Sequence, residues 1–449
     1  MSEPIISVSG LRGIVGESLT PEIAIRYTTA FAAAAPPGLF LVGRDSRPSG
    51  RFLAQAIQAG LQAVGRNTCD LGIVATPTVG VLVRHFQAAG AVQITASHNP
   101  SPYNGLKLFS HQGRIIPAGM GEKVLELYCT RPPDWKPADA LGEGQVCQDT
   151  VTAHLLAILD IIDVQRIRQR RFRVLLDSNH GAGSLLGRRL LNELACRVTV
   201  LGDLPTGQFA HPPEPIPENL TAVLPAVCQS QADLGFCQDP DADRLGIIDE
   251  TGRYIGEEYT LALCADHVLS RNKGPLVTNC ASSRMNEDLA RKHGVPLYRS
   301  AVGEAHVVDT MLAQNAVFGG EGNGGPIDPR VVFVRDSFVG MALILDALAS
   351  RTQRISQWVE EIPRYEIVKT KCTVPPEKLP AALDALQQRS PEAKSNRLDG
   401  LRLDWPDRWL LVRGSNTEPI ARAIAEAPTA EEAQALCQVV QGLFDSLKE

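Results

Sequence analysis

Apolar residues along the chain fall into short continuous runs, and between these runs apolar positions return at helical spacing. Residues 20–34 open with Thr20-Pro21-Glu22, an N-cap followed by proline at the first helical position. They continue as an alanine-rich helix that Pro36-Pro37-Gly38 stops. The run 39–42 is a short buried strand delivering Gly43-Arg44-Asp45. Ser49 is placed to cap the next helix, to about residue 65; a strand then reaches Val74, Thr76-Pro77 opens another helix, and 91–95 is the next strand. Strands separated by helical stretches predict right-handed βαβ units on a largely parallel sheet. Ligands gather at the carboxyl ends of such strands, where Arg44, Ser97 and Lys107 fall.

The plan recurs. A proline-rich linker at 131–137 precedes one helix from 151 to about 170, followed by strand 172–177, the turn His180-Gly181-Ala182-Gly183, a helix to about 195 and strand 198–202. Strand 234–236 runs straight into an aspartate-rich loop. A third unit begins near Gly256, with strands at 276–279, 297–300 and 316–318. From about Arg364 the order changes to strand, helix, a hairpin at Trp405-Pro406-Asp407-Arg408, strand 409–412, a loop, strand 421–426 and a final helix. The predicted architecture is α/β, with three similar α/β domains of mixed, mostly parallel sheets and a small C-terminal α+β domain. The divisions fall at 1–150, 151–253, 254–363 and 364–449.

Composition agrees and narrows the partners. At 449 residues the chain exceeds what one hydrophobic core fills. A net charge of -6 argues against a general nucleic-acid partner, which needs a basic excess. It leaves room for a phosphorylated substrate, because a few local arginines decide that contact. The ten cysteines show no CxxC pairs or metal-ligand spacing; Cys69, Cys196, Cys237 and Cys280 lie in or beside apolar runs and read as buried thiols of a reducing cytosol. No stretch approaches the ~20 apolar residues that span a bilayer, and the first residues carry no secretion signal, so a cytoplasmic protein without a membrane partner is expected.

Three stretches carry candidate chemistry. Thr95-Ala96-Ser97-His98-Asn99-Pro100 lifts a serine onto an irregular loop that Pro100 and Pro102 keep from becoming helix. Asp239-Pro240-Asp241-Ala242-Asp243 places carboxylates at alternate positions, either a solvated acidic turn or a set of hard oxygen ligands for Mg²⁺. Arg244, directly after it, is a natural phosphate contact. Arg413-Gly414-Ser415-Asn416-Thr417 combines a guanidinium, hydroxyls and glycine-freed backbone N–H groups, either a strand-ending turn or a holder for a phosphate. A serine alcohol is a poor nucleophile unless a charge or base assists it, and phosphoryl transfer mainly needs positioning and charge neutralisation. One serine, one carboxylate cage and one arginine-headed loop make a phosphoryl-transfer site if the fold joins them.

In these stretches the sequence resembles the α-D-phosphohexomutase family of phosphoglucomutase, phosphomannomutase and phosphoglucosamine mutase enzymes. The matching stretches also include Ser9-Gly10-Leu11-Arg12-Gly13, Tyr103-Asn104-Gly105-Leu106-Lys107 and Gly320-Glu321-Gly322-Asn323-Gly324-Gly325, all in the family's order. The resemblance implies a central cleft closed by the small fourth domain. It implies that Ser97 is a phosphoserine in the resting enzyme and that Ser97, Asp239, Asp241 and Asp243 hold Mg²⁺. Glu321 and Asn323 read the sugar; Arg413, Ser415, Asn416 and Thr417 anchor the phosphate that is not being transferred; and Arg12 matches an active-site arginine, the alternative being a surface salt bridge. The implied substrates are a hexose phosphate and a bound hexose 1,6-bisphosphate, handled by a monomer or homodimer.

Two departures bear on mechanism and specificity. Where many bacterial relatives have Ser-Gly-His this chain has Asn323-Gly324-Gly325, and Glu304 stands where some members have histidine. Lys107 and His98 remain as acid/base candidates, His98 serving equally well as a loop-fixing side chain. The Gly320 to Gly325 version is similar to the archaeal-type branch, which points to glucosamine phosphate, with relaxed glucose and mannose phosphate activity as the alternative. A phosphatase with an aspartyl nucleophile and a non-catalytic sugar-phosphate binder are the rivals.

Overall fold

The computed structural model describes residues 4–7, 10–375, 377–414 and 420–445, so Ser415, Asn416 and Thr417 lie outside the described residues. The first sheet contains β1 (Ile5–Ser7), β2 (Gly10–Ile14), β3 (Phe40–Arg44), β4 (Thr68–Ile73), β5 (Gly90–Ile94), β6 (Tyr103–Ser110) and β7 (Gly144–Val146), in the order β1-β2-β6-β5-β3-β4-β7. Strands β5, β3, β4 and β7 run parallel, whereas β6, β2 and β1 extend the sheet antiparallel. This sheet is therefore evenly mixed, not largely parallel. The chain between β5 and β6 is too short for the crossover that a parallel neighbour needs, so it returns as a hairpin.

The second sheet, β8 (Arg173–Asp177), β9 (Arg197–Leu201), β10 (Leu234–Gln238) and β11 (Leu245–Asp249), has the order β11-β10-β8-β9. The third, β12 (Leu276–Asn279), β13 (Leu297–Ser300), β14 (Phe318–Glu321) and β15 (Gly325–Ile327), has the order β13-β12-β14-β15. Each is parallel except for the last strand of its hairpin, β11 or β15. The fourth sheet is wholly antiparallel: β16 (Glu366–Thr373), β17 (Lys394–Asn396), β18 (Leu401–Asp404), β19 (Trp409–Gly414) and β20 (Ile420–Ala427). One placement recurs in all four. The loops singled out for chemistry connect β5 to β6, β10 to β11, β14 to β15 and β19 to β20, each an antiparallel pair.

Thr20 caps its helix as expected, its hydroxyl accepting from the Ile23 amide at 3.3 Å. Three local expectations are corrected. The helix expected over 151–170 is two helices, Thr152–Leu159 and Val164–Arg170, because Asp163 starts a new one by accepting from the Arg166 amide at 3.0 Å. Ser49 makes no cap bond to its helix; its hydroxyl instead accepts from Asn104 Nδ2 at 2.9 Å. The strand expected over 316–318 is Phe318–Glu321, so Glu321 lies on the strand itself.

One core runs through the first three units, joining Leu41 and Val79 to Phe172 and Phe236 and to Leu261 and Phe338. At its centre the helix Ser337–Ser350 is apolar on nearly every face, as its sequence requires for burial among neighbours. Asp336 caps this helix through the Phe338 and Val339 amides, at 2.9 and 3.2 Å. The other oxygen of Asp336 lies 2.8 Å from His154 Nε2, and His154 Nδ1 lies 2.9 Å from Thr78 Oγ1. One buried polar chain thus joins all three units. The fourth unit has a separate core that includes Leu410, Ala423 and Val440, and it meets the third where Trp409, Leu411 and Ile424 pack on Cys280. No disulfide is formed among the described residues.

Candidate active site

Past the end of β5, Thr95 turns its hydroxyl to Asp45 at 2.7 Å and accepts the Ser97 amide at 2.9 Å. Ser97 is held at φ +50°, a left-handed conformation that non-glycine residues seldom adopt. Arg47, 1 % exposed, pairs with Asp45 and donates to the carbonyl oxygens of Ser97 and Asn99 at 2.8 and 2.5 Å. This buried pair clamps the loop; sequence reasoning named Asp45 only as the end of a strand and missed Arg47. It pointed instead to Arg44, whose electrostatic neighbours are Asp70, Asp45 and Arg51. Arg12 reaches the same loop from β2 and donates to Asn99 Oδ1 at 3.0 Å.

The Asp239 loop meets this serine. The Ser97 hydroxyl donates to Asp239 Oδ2 at 2.7 Å, and Asp239, Asp241 and Asp243 are all fully buried. Their nearest ligand oxygens lie within 4.8 Å of one another. Thr76 donates to Asp241 Oδ2; Lys107 Nζ lies 2.7 Å from Oδ2 of both Asp241 and Asp243; Arg335 donates to Asp243 Oδ2 at 2.7 Å. The Oδ1 atoms of Asp241 and Asp243 are buried without a hydrogen-bond partner. Two such orphaned carboxylate oxygens beside a third carboxylate fit a hard divalent cation, which satisfies lone pairs that are costly to leave bare.

Electrostatics separate the three carboxyls. Burial, reinforced by Asp241 and Asp243, pushes Asp239 well above the usual carboxylate range. Burial also works against ionisation of the other two. Lys107 nevertheless holds Asp241 below its ordinary value, and Arg335 with Lys107 does the same for Asp243. Lys107 is held above its own ordinary value by those carboxylates despite burial.

Glu321, 3 % exposed, accepts from Asn279 Nδ2 at 2.7 Å and the Gly303 amide at 3.0 Å on one oxygen. Its other oxygen accepts from Arg335 at 2.8 Å. Asn323 Oδ1 is buried without a partner. The Leu245 amide donates to the Gly324 carbonyl at 2.8 Å, which ties the loop between β14 and β15 to the strand leaving the aspartates. A Cβ at Gly325 would collide with the Arg335 side-chain stem, so Arg335 fills the space that a larger residue at 325 would need. Glu304 accepts from the Arg335 amide at 3.0 Å and faces its Nε at 3.4 Å; burial raises the Glu304 carboxyl to about 7. Arg335 escaped the sequence reading because it sits outside every motif, ten residues past the sugar loop's end.

His98 Nδ1 lies 3.3 Å from Ser97 Oγ. Burial, with Arg244 and Arg12 nearby, pushes its imidazole down to about 3, so it is neutral near pH 7. The Arg244 amide donates to Asp239 Oδ1 at 3.1 Å and its guanidinium faces Glu214 at 3.5 Å. Arg413 pairs with Asp399 at 2.9 Å, and Asp399 also accepts from the Val302 amide at 3.0 Å, so the end of β19 is tied to the third unit.

The chain matches phosphoglucomutase/phosphomannomutase alpha/beta/alpha domains I, II and III over residues 5–131, 152–252 and 257–365, and the C-terminal domain over residues 370–442. It is 38 % identical to the phosphoglucomutase/phosphomannomutase of Thermococcus kodakarensis over 98 % of both chains. It is 33 % identical to a probable phosphoglucosamine mutase of Methanopyrus kandleri over 95 % of both. The crystal structure of a phosphoglucomutase/phosphomannomutase family protein from Burkholderia thailandensis superposes with a TM-score of 0.85 at 25 % identity, covering 99 % of this chain and 98 % of that one. With four matching domains in order along nearly its whole length, the chain belongs to the α-D-phosphohexomutase family.

Proposed function

We propose that the protein interconverts hexose 6-phosphate and hexose 1-phosphate, with Ser97 as the phosphoryl carrier. The observation that carries this reading is the Ser97 hydroxyl lodged 2.7 Å from Asp239 within a buried aspartate cluster. The phosphoryl group leaves the Ser97 oxygen as its P–O bond breaks and joins the free sugar hydroxyl, giving a hexose 1,6-bisphosphate. After the intermediate reorients, its other phosphate returns to Ser97. Arg12 and Arg244 line the approach, Arg413 anchors the distant phosphate, and Glu321 and Asn323 orient the ring hydroxyls. His98, neutral and near Ser97 Oγ, is on hand to relay the proton, while Lys107 holds two aspartates in place. Asp239, Asp241, Asp243 and the Ser97 oxygen would hold Mg²⁺, which when bound neutralises charge on the phosphoryl oxygens. The buried setting keeps water from hydrolysing the phosphoenzyme.

Glucosamine phosphate is the leading substrate, because the whole Gly320 to Gly325 stretch resembles the archaeal-type branch and the Methanopyrus relative carries that name. A second reading, neutral glucose and mannose phosphates, draws on the Thermococcus relative and on Arg335, which already neutralises Glu321. A coupled assay of glucosamine, glucose, mannose and N-acetylglucosamine phosphates decides between them. Turnover of glucose or mannose phosphate more than about tenfold more efficient than glucosamine phosphate overturns the first choice.

A further inference from the structure

Among the described residues, Arg335 is the side chain that hydrogen-bonds both the aspartate cluster, at Asp243, and the sugar loop, at Glu321. It is 9 % exposed, and its fork spends one terminal nitrogen on Glu321 at 2.8 Å and the other on Asp243 at 2.7 Å. Its backbone amide is pinned by Glu304, and the next residue, Asp336, caps the central helix. The stem passes over Gly325, where no side chain would fit. The guanidinium is thus fixed at both ends, and its planar fork suits two carboxylates in a way a lysine would not match.

We propose that Arg335 is a positioning residue that yokes the aspartate cage to the sugar loop, so that a change at Glu321 is felt at the cation site. This rests on the reading above that the cage holds a divalent cation and that Glu321 faces the sugar. Arg335 and Lys107 engage Asp243 Oδ2, which leaves the unpartnered Oδ1 turned to the ion. While Glu321 shares the guanidinium, the positive charge that Asp243 receives is moderated. With that carboxylate neutralised, the fork settles on Asp243 and opposes an incoming cation. On the sugar side, Arg335 fixes the aim of Glu321, so its loss raises KM for the hexose phosphate more than it lowers kcat.

The test is Mn²⁺ affinity of the purified resting protein, measured by electron paramagnetic resonance for wild type, Glu321→Gln, Arg335→Gln and the double variant. Glu321→Gln, though outside the cage, is expected to weaken Mn²⁺ binding at least about fivefold, as removal of an outer partner of a metal site does. In the Arg335→Gln background the same change is expected to alter affinity by less than about twofold, the mark of coupling through one residue. Should Arg335→Gln fail to fold, Arg335→Met serves, since it keeps an apolar stem over Gly325 and removes the charge and both donors. Unchanged Mn²⁺ affinity in Glu321→Gln, or an equal loss in both backgrounds, overturns the yoke alone. A wild type that binds no Mn²⁺ overturns the cation reading and the yoke together.

Discussion

The Ser97 hydroxyl donates to Asp239 at 2.7 Å across 142 positions of sequence, a contact between two different sheets. If Ser97 carries the phosphoryl group, intact-protein mass spectrometry after incubation with hexose 1,6-bisphosphate shows one added phosphate in wild type and none in Ser97→Ala. The variant loses activity by roughly 10³-fold or more while still binding sugar phosphate. Phosphate on another residue, or a fully active alanine variant, overturns the assignment.

Asp241 has one buried carboxylate oxygen without a partner, while the other accepts from Thr76 and Lys107; if it belongs to the cation site, its loss is read in the metal response. Chelator-treated protein is expected to lose turnover and recover it with Mg²⁺. At about 100 times the dissociation constant, Mg²⁺ stabilises the wild type by about 2.7 kcal/mol, read as a rise in Tm. Asp241→Asn is expected to keep its fold and lose most of that rise. An unchanged Mg²⁺ response in Asp241→Asn removes this residue from the ligand set.

Glu258 gives a pH dependence of definite sign. Its carboxyl accepts from the Ser283 amide at 2.9 Å, and burial raises it from 4.5 to about 8. The folded state therefore binds the proton more tightly than the unfolded chain. The stability this contributes is complete below about 4.5 and is lost as pH rises through about 8. Because the side chain is partly open to solvent, the loss is on the order of 2 kcal/mol. Denaturant titrations at pH 5 and pH 9 should show Glu258→Gln losing that much less than wild type; parallel curves would contradict the assignment.

Elements set by local chemistry were readable from the sequence, and couplings between distant elements were not. The Thr20 cap, the buried strands and the hairpin at Trp405 follow from residues adjacent in the chain. The same holds for the serine and aspartate loops, whose composition announces them. Arg335 carries no such mark: an arginine before a helix is commonplace, and only the fold brings it between Asp243 and Glu321. Arg47 was hidden for the same reason, its acceptor oxygens being backbone carbonyls 50 and 52 positions away. The break at Asp163 was missed because apolar periodicity continues across it, and only the cap reveals a new start.

His154 sits fully buried between Thr78 and Asp336, each from a different unit. His154→Ala strands the Asp336 carboxyl in the core and is expected to cost about 3 kcal/mol. His154→Gln, which keeps a donor near Asp336, is expected to cost less than half as much. Equal denaturation midpoints for wild type and His154→Ala would show that the junction adds nothing to stability.

Asn323 presents a buried amide oxygen with no protein partner, free to meet a ring substituent if this loop reads the sugar. Asn323→Ser shortens that reach. It is expected to raise KM for the preferred hexose phosphate about tenfold, with a smaller change in kcat, because binding common to ground and transition states is lost. Initial-rate kinetics on the substrate panel check it; a fall in kcat at constant KM would assign Asn323 to the chemical step.

The four candidate loops each link an antiparallel pair of strands in a different sheet, and this bears on how the enzyme comes into being. Chain synthesis proceeds from the N-terminus, and units fold as they emerge. The serine on β5–β6 appears first, the aspartates on β10–β11 next, the sugar loop on β14–β15 later and the arginine at the end of β19 near the finish. A half-made chain holding a folded first sheet already has its serine but no cage to charge it. If turnover draws on all four loops, it begins only once the last sheet docks through Trp409 on Cys280.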